Sequence, residues 1–158
     1  MDLVLQDVLI GIVATVCIDI WAAIAKYVFG LPTADWRMVG RWFGYIPKGI
    51  LIHRPISATP PIRNELVLGW AGHYVIGAAY GLAYLYIVLV MLSDQPSLFS
   101  GLVFGVATLF APWLIMQPAM GAGLFASRAP RPAVVRLVNV SMHALFGVSL
   151  YFGWILIR

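Results

Sequence analysis

Charge is what this sequence has least of. Of its 158 residues only 10% are Asp, Glu, Lys or Arg, while 62% are hydrophobic. A soluble domain carries about 25% charged residues, so a water-facing globule is excluded; apolar surface on this scale needs lipid as its solvent. Cysteine is nearly missing as well. Cys17 stands alone, so no internal disulfide can form and the redox compartment is unreadable. Strict polar–apolar alternation is absent, which excludes a membrane barrel. No Walker loop, Rossmann glycine fingerprint, Gly-x-Ser-x-Gly elbow or His-Glu-x-x-His helix occurs. That removes the familiar nucleotide-dependent enzymes, hydrolases and zinc proteases, and the chain reads as non-enzymatic.

What is present is length in the apolar runs. Four stretches, at about 8–29, 66–92, 98–120 and 134–157, reach the 20 or so residues that a bilayer core requires at 1.5 Å per helical residue. Only helices satisfy their own backbone there. The expectation is an all-α membrane protein with one four-helix transmembrane domain over 1–158. The first run is too long for a secretory leader and begins with Asp2 and Asp7 instead of basic residues, so it reads as a span.

The net charge of +4 is not a nucleic-acid signal, because its placement has a topological cause. Lys26, Arg37, Arg41, Lys48, Arg54 and Arg63 lie at or between spans one and two. Arg128, Arg131 and Arg136 lie between spans three and four. The connection "SDQPS" at 93–97 has no basic residue. By the positive-inside rule both basic loops are cytoplasmic and both termini outside. The expected partners are membrane lipids, and either further copies of the chain or a larger membrane complex.

The halves share a plan: a span, a basic proline-bearing loop, then a span with His-x-x-x-Gly. "VATVCID" at 13–19 aligns with "VATLFAP" at 106–112, and "HYVIG" at 73–77 with "HALFG" at 143–147. Two duplicated helical hairpins, related by an axis along the membrane normal, would give this pattern. The first loop, 30–64, holds "TADWRMVGRWFGYI", with a helix start expected at Thr33. Trp36, Val39, Trp42, Phe43 and Ile46 approximate one apolar face. That predicts a helix lying in the interface, with Trp36 and Trp42 at headgroup depth and Arg37 and Arg41 near lipid phosphates. Arg128 and Arg131 are assigned the same headgroup role.

Ionisable residues inside the spans are the functional candidates. Positions four apart stack on one helix face, so Gly69, His73, Gly77 and Gly81 form one row; Asn139, His143, Gly147 and Tyr151 form another. Glycine rows let a neighbouring helix approach closely, so both histidines should face protein. Counted from the loop ends, His73 lies about 10 Å deep, His143 about 14 Å, Asp19 about 15 Å and Gln117 about 6 Å. Asp19, His73 and His143, bordered by Gln117 and Asn139, are therefore expected around one polar spot. A buried charge there costs at least ~2.5 kcal/mol unless paired or hydrated.

Four readings fit that constellation. In them the polar groups glue helices together, line a binding pocket or translocation path for a small molecule or ion, hold b-type haem between His73 and His143, or bind a catalytic metal through Asp19, His73 and His143. The function expected is small-molecule or ion binding, or transport. The alternatives are an accessory subunit of a membrane complex and a haem-bearing redox protein.

The blocks "VGRWFGYIPKG", "ATPPIRNELVLGWAGHYVIG", "MQPAMGAGLFASRAPRP" and "HALFG" resemble a family of small bacterial four-span membrane proteins catalogued as a domain of unknown function. The resemblance spans nearly the whole chain. It implies a bacterial inner-membrane protein of this architecture, and it supplies no activity, substrate or site residue.

Overall fold

A computed structural model describes residues 2–158. Helix α1 runs Leu3–Tyr27. It begins five residues ahead of the expected boundary because the Asp2 side chain caps it, accepting from the Val4 amide at 3.1 Å. Helix α2, Trp36–Tyr45, starts after Asp35, not Thr33, since Asp35 accepts from the Arg37 amide at 2.9 Å. Helix α3, Glu65–Leu85, continues through wide π-type turns over Tyr86–Met91. Helix α4, Leu98–Ala107, opens on a reciprocal Ser97–Ser100 capping box. Its span runs on to Ala119, but not as one regular helix. Pro112 has no amide to donate, and the chain widens over Ala111–Met116 before the short α5, Gln117–Ala119. Helix α6, Pro132–Ile157, starts with proline at its first position.

The described residues contain helices and no strand, and four helices are long and apolar enough to cross a membrane: Leu3–Tyr27, Glu65–Met91, Leu98–Ala119 and Pro132–Ile157. Helix α1 packs against α3 on one side and α6 on the other; α6 in turn packs against α4. Tyr80 and Tyr84 of α3 meet Phe104 of α4 with ring centroids 6.2 and 5.4 Å apart, and Tyr80 meets Phe146 of α6 at 6.1 Å. These rings, with Ile10, Ala14, Leu85 and Leu150, form the buried centre.

Lipid tails are as apolar as leucine, so helices associate in a membrane mainly through close contact. Glycine provides it at two seams. On α1–α3, a Cβ at Gly77 would overlap Thr15 Oγ1, and one at Gly81 would stand 2.7 Å from the Gly11 Cα. On α4–α6, a Cβ at Gly105 would stand 2.7 Å from the Gly147 Cα. Each half of the chain is thus held by its own small-residue seam.

The row Gly69–His73–Gly77–Gly81 divides its work, however. Gly77 and Gly81 face α1, whereas Gly69 and Gly72 face α2: a Cβ at Gly69 would run into the Trp36 carbonyl, and one at Gly72 into the Phe43 ring. Gly40 of α2 completes that contact by lying against the Glu65 carbonyl. Helix α2 is therefore docked on the start of α3, and its buried side is Val39, Gly40 and Arg41.

This corrects the expectation for Arg41. Only 6% of it is exposed, and it does not reach toward headgroups. Its Nε and Nη2 donate to Glu65 at 2.9 and 3.1 Å, and its Nη1 donates to the Thr59 carbonyl at 2.9 Å. The hydrogen bond to Glu65 raises its pKa above the ordinary value. Glycine at position 40 brings the helices close enough for the pair to form. The bidentate fork then ties α2, the Ile56–Ala58 turn and α3 together.

Candidate functional site

The side of the molecule carrying the two long loops is called here the loop side, and that carrying the termini the terminal side. Asp19 lies eight residues from the loop-side end of α1, and His73 eight residues from that of α3, so both sit about 12 Å deep. They meet. His73 Nε2 lies 2.9 Å from Asp19 Oδ1, and the Tyr74 hydroxyl donates to Asp19 Oδ2 at 2.8 Å. Both carboxylate oxygens are satisfied by α3, and the seam formed by Gly11, Thr15 and Gly77 brings the two helices together to allow it.

An aromatic wall closes around the imidazole. The Trp36 ring lies 4.1 Å from it, centroid to centroid, and Trp70 5.9 Å. Trp36 was expected among headgroups; it is half-buried and covers His73, because α2 docks on α3 instead of lying free in the interface. With Nε2 bonded to the carboxylate, His73 Nδ1 has no hydrogen-bond partner among the described residues. The side chains of His73 and Asp19 keep 14% and 18% exposure, so the pair is partly accessible. Toward the terminal side, Thr15 turns its hydroxyl back to the Gly11 carbonyl at 2.8 Å and is fully buried. The glycine seam leaves no opening there.

His143 does not join this pair. It sits 11 residues into α6, about 16 Å deep, and its Nδ1 lies 2.7 Å from Thr108 Oγ1. Thr108 gives its own proton to the Gly105 carbonyl, so His143 donates through Nδ1–H. The two histidines are thus held in opposite tautomers, His73 through Nε2 and His143 through Nδ1.

Gln117 and Asn139 form a third group. With its amide turned to satisfy its neighbours, Asn139 accepts from Gln117 Nε2 at 2.7 Å and from Trp113 Nε1 at 3.1 Å. The hydrogen bonds of the residues expected around one polar spot fall into three sets: Asp19–His73–Tyr74, Thr108–His143, and Trp113–Gln117–Asn139. The reason is pairing along the seams. Each histidine bonds to the helix its own glycines touch, α1 for His73 and α4 for His143.

The described residues hold no group of three His, Cys, Asp or Glu side chains placed for a metal ion. His73 has one nitrogen on Asp19 and a face against Trp36, while His143 has one nitrogen on Thr108.

Of the other residues assigned to the interface, Arg37, Arg128 and Arg131 are exposed. Trp42 donates through Nε1 to the Leu51 carbonyl at 2.9 Å and so fastens the loop. Sequence reasoning missed Tyr74, which lies 100° around the helix from His73 and outside any row of four. It also missed His53. That residue is 4% exposed, bonded to Thr59 Oγ1 through Nδ1 at 2.8 Å, with Nε2 unpartnered.

Comparison with known proteins gives a family and no activity. Residues 8–157 match the model of a family described as "Protein of unknown function (DUF2938)", and the chain belongs to that family. No curated protein and no solved structure matches it.

Proposed function

We propose that this chain is a non-enzymatic ion-binding protein of the bacterial inner membrane. In this reading its ion is a proton, held at the Asp19–His73–Tyr74 centre and exchanged with the loop side. The observation that carries the reading is the 2.9 Å contact between an aspartate and a histidine about 12 Å inside an apolar span. Ionisable residues at such depth are expensive and usually functional. The carboxylate supplies the counter-charge that an imidazole carrying a second proton needs in this layer, and Nδ1 has no protein partner to displace. A proton suits the donor set better than a larger cation, because both carboxylate oxygens are already occupied by hydrogens from α3.

The loop side is assigned to the cytoplasm on the placement of charge. Nine of the ten basic residues lie there, whereas Arg158 is accompanied on the terminal side by Asp2, Asp7 and Asp94. The sealed α1–α3 seam supports binding and one-sided exchange; transport would require that seam to open.

The test is an infrared difference spectrum of the protein in bilayers between about pH 4 and about pH 9. A carboxyl band and an imidazole band should change together, and the part of each that belongs to Asp19 and His73 should be missing in Asp19→Asn. Identical spectra for wild type and Asp19→Asn would overturn the reading.

A further inference from the structure

On the loop side a cleft of about 640 Å³ opens between the end of the third span and the first loop. Its size is that of a small-ligand site, roughly 300–1,000 Å³. Ile52, Leu114 and Ile115 give it an apolar lining, and Arg54, Ser127 and Arg128 add polar groups. No carboxylate lines it. Leu114 and Ile115 are 40% and 48% exposed on the third span, so the apolar lining continues onto surface that would meet acyl chains. Arg54 and Arg128 belong to the loops outside the spans.

The cleft is fixed in shape by the protein itself. The first loop docks onto the span end through the His53 amide, which donates to the Ala119 carbonyl at 2.7 Å, and the Ile56 amide, which donates to Met120 at 2.9 Å. On the other wall, Arg136 Nε donates to the Phe125 carbonyl at 2.7 Å. There Phe125 and Ala126 hold left-handed backbone at φ 52° and 54°, a conformation that side chains bearing a Cβ rarely adopt. Such outliers persist where the surroundings over-determine them, as at ligand clamps. Arg136 is occupied in holding this turn. Arg54 and Arg128, by contrast, make no side-chain hydrogen bond or ion pair among the described residues.

We infer that this cleft is a binding site for an anionic membrane phospholipid, its phosphate between Arg54 and Arg128 and its acyl chain along Leu114 and Ile115. Two unpaired guanidinium groups with no competing carboxylate match the headgroup charge, and the apolar lining selects a lipid over a free anion. A hydrogen bond from each guanidinium to the phosphate strengthens binding about fivefold, so both together contribute about 25-fold.

The experiment uses the full chain in detergent, with phosphatidylglycerol or phosphatidylcholine added and bound lipid counted by native mass spectrometry. Wild type should retain phosphatidylglycerol in preference to phosphatidylcholine. Arg54→Gln/Arg128→Gln should lose about 25-fold of that preference while keeping its unfolding midpoint. Lys48→Gln/Arg63→Gln, on the same side but outside the cleft, should keep the preference. Leu114→Glu should lose the lipid with both arginines present, and inorganic phosphate at millimolar concentration should not displace it. The inference is overturned if the cleft double variant binds as wild type does, or if the control pair loses as much. Displacement of the lipid by inorganic phosphate would equally overturn it, by making the cleft a free-anion site.

Discussion

Glu65→Ala tests how α2 is held. The substitution removes the acceptor of two hydrogen bonds from Arg41, at 2.9 and 3.1 Å. The guanidinium is left with backbone carbonyls alone, Thr59 at 2.9 Å and Ile56 at 3.4 Å. The two side chains are only 8% and 10% exposed, so water cannot readily replace the carboxylate. Breaking a buried pair by removing one member costs about 3–5 kcal/mol, which lowers the folded-to-unfolded ratio about 150-fold to about 5,000-fold. Replacing both members by leucine should cost much less, about 1–2 kcal/mol, because no unpaired charge remains. The residual loss comes from the Thr59 carbonyl and the Ile62 amide, which bonds Glu65 at 3.3 Å. The assay is unfolding in mixed micelles by added SDS, followed by tryptophan fluorescence, for wild type, both single variants and the pair. A coupling energy of at least about 2 kcal/mol is expected. A Glu65→Ala loss below about 1 kcal/mol, or single losses that simply add, would refute the argument that this pair is buried and bidentate.

Three further outcomes can be checked by the same unfolding assay. Gly105→Ala should cost about 1–3 kcal/mol, because its new methyl would meet the Gly147 backbone at 2.7 Å and push α4 from α6. Combined with Gly11→Ala on the other seam, the loss should add, since the two glycines share no partner. Thr108→Val keeps shape but leaves His143 Nδ1–H without its 2.7 Å acceptor; a loss of about 1–3 kcal/mol is expected, and Thr108→Ser should restore most of it.

The four spans were legible because their signal is length and hydropathy, and both survive any detail of packing. Their ends shifted where a local cap decided, as at Asp2 and Asp35. The third span is interrupted at Pro112, a residue with no amide to donate, but its presence does not fix how far the widened turns extend. The Asp19–His73 contact was readable from depth and glycine spacing. The place of His143 was not: its partner Thr108 is a residue whose hydroxyl ordinarily bonds its own helix, and nothing in the spacing marks it as a histidine partner. The buried state of Arg41 escaped for a related reason. Arginine on an amphipathic helix reads as solvated, and only the contact of Gly40 with the Glu65 carbonyl, a tertiary fact, turns that face inward.

The most direct test of the proton-binding centre is the protonation of the His73 ring. Protein labelled with nitrogen-15 in histidine and reconstituted in bilayers gives separate solid-state resonances for the two ring nitrogens, assigned by loss in His73→Gln. The account predicts a neutral ring whose Nε2–H is hydrogen-bonded to Asp19 and whose Nδ1 is bare. On acidification Nδ1 should gain a proton, and Asp19→Asn should shift the His73 signals while leaving those of His143 in place. A neutral His73 ring that carries its proton on Nδ1 and leaves Nε2 bare, or one whose resonances are the same in Asp19→Asn, would contradict it.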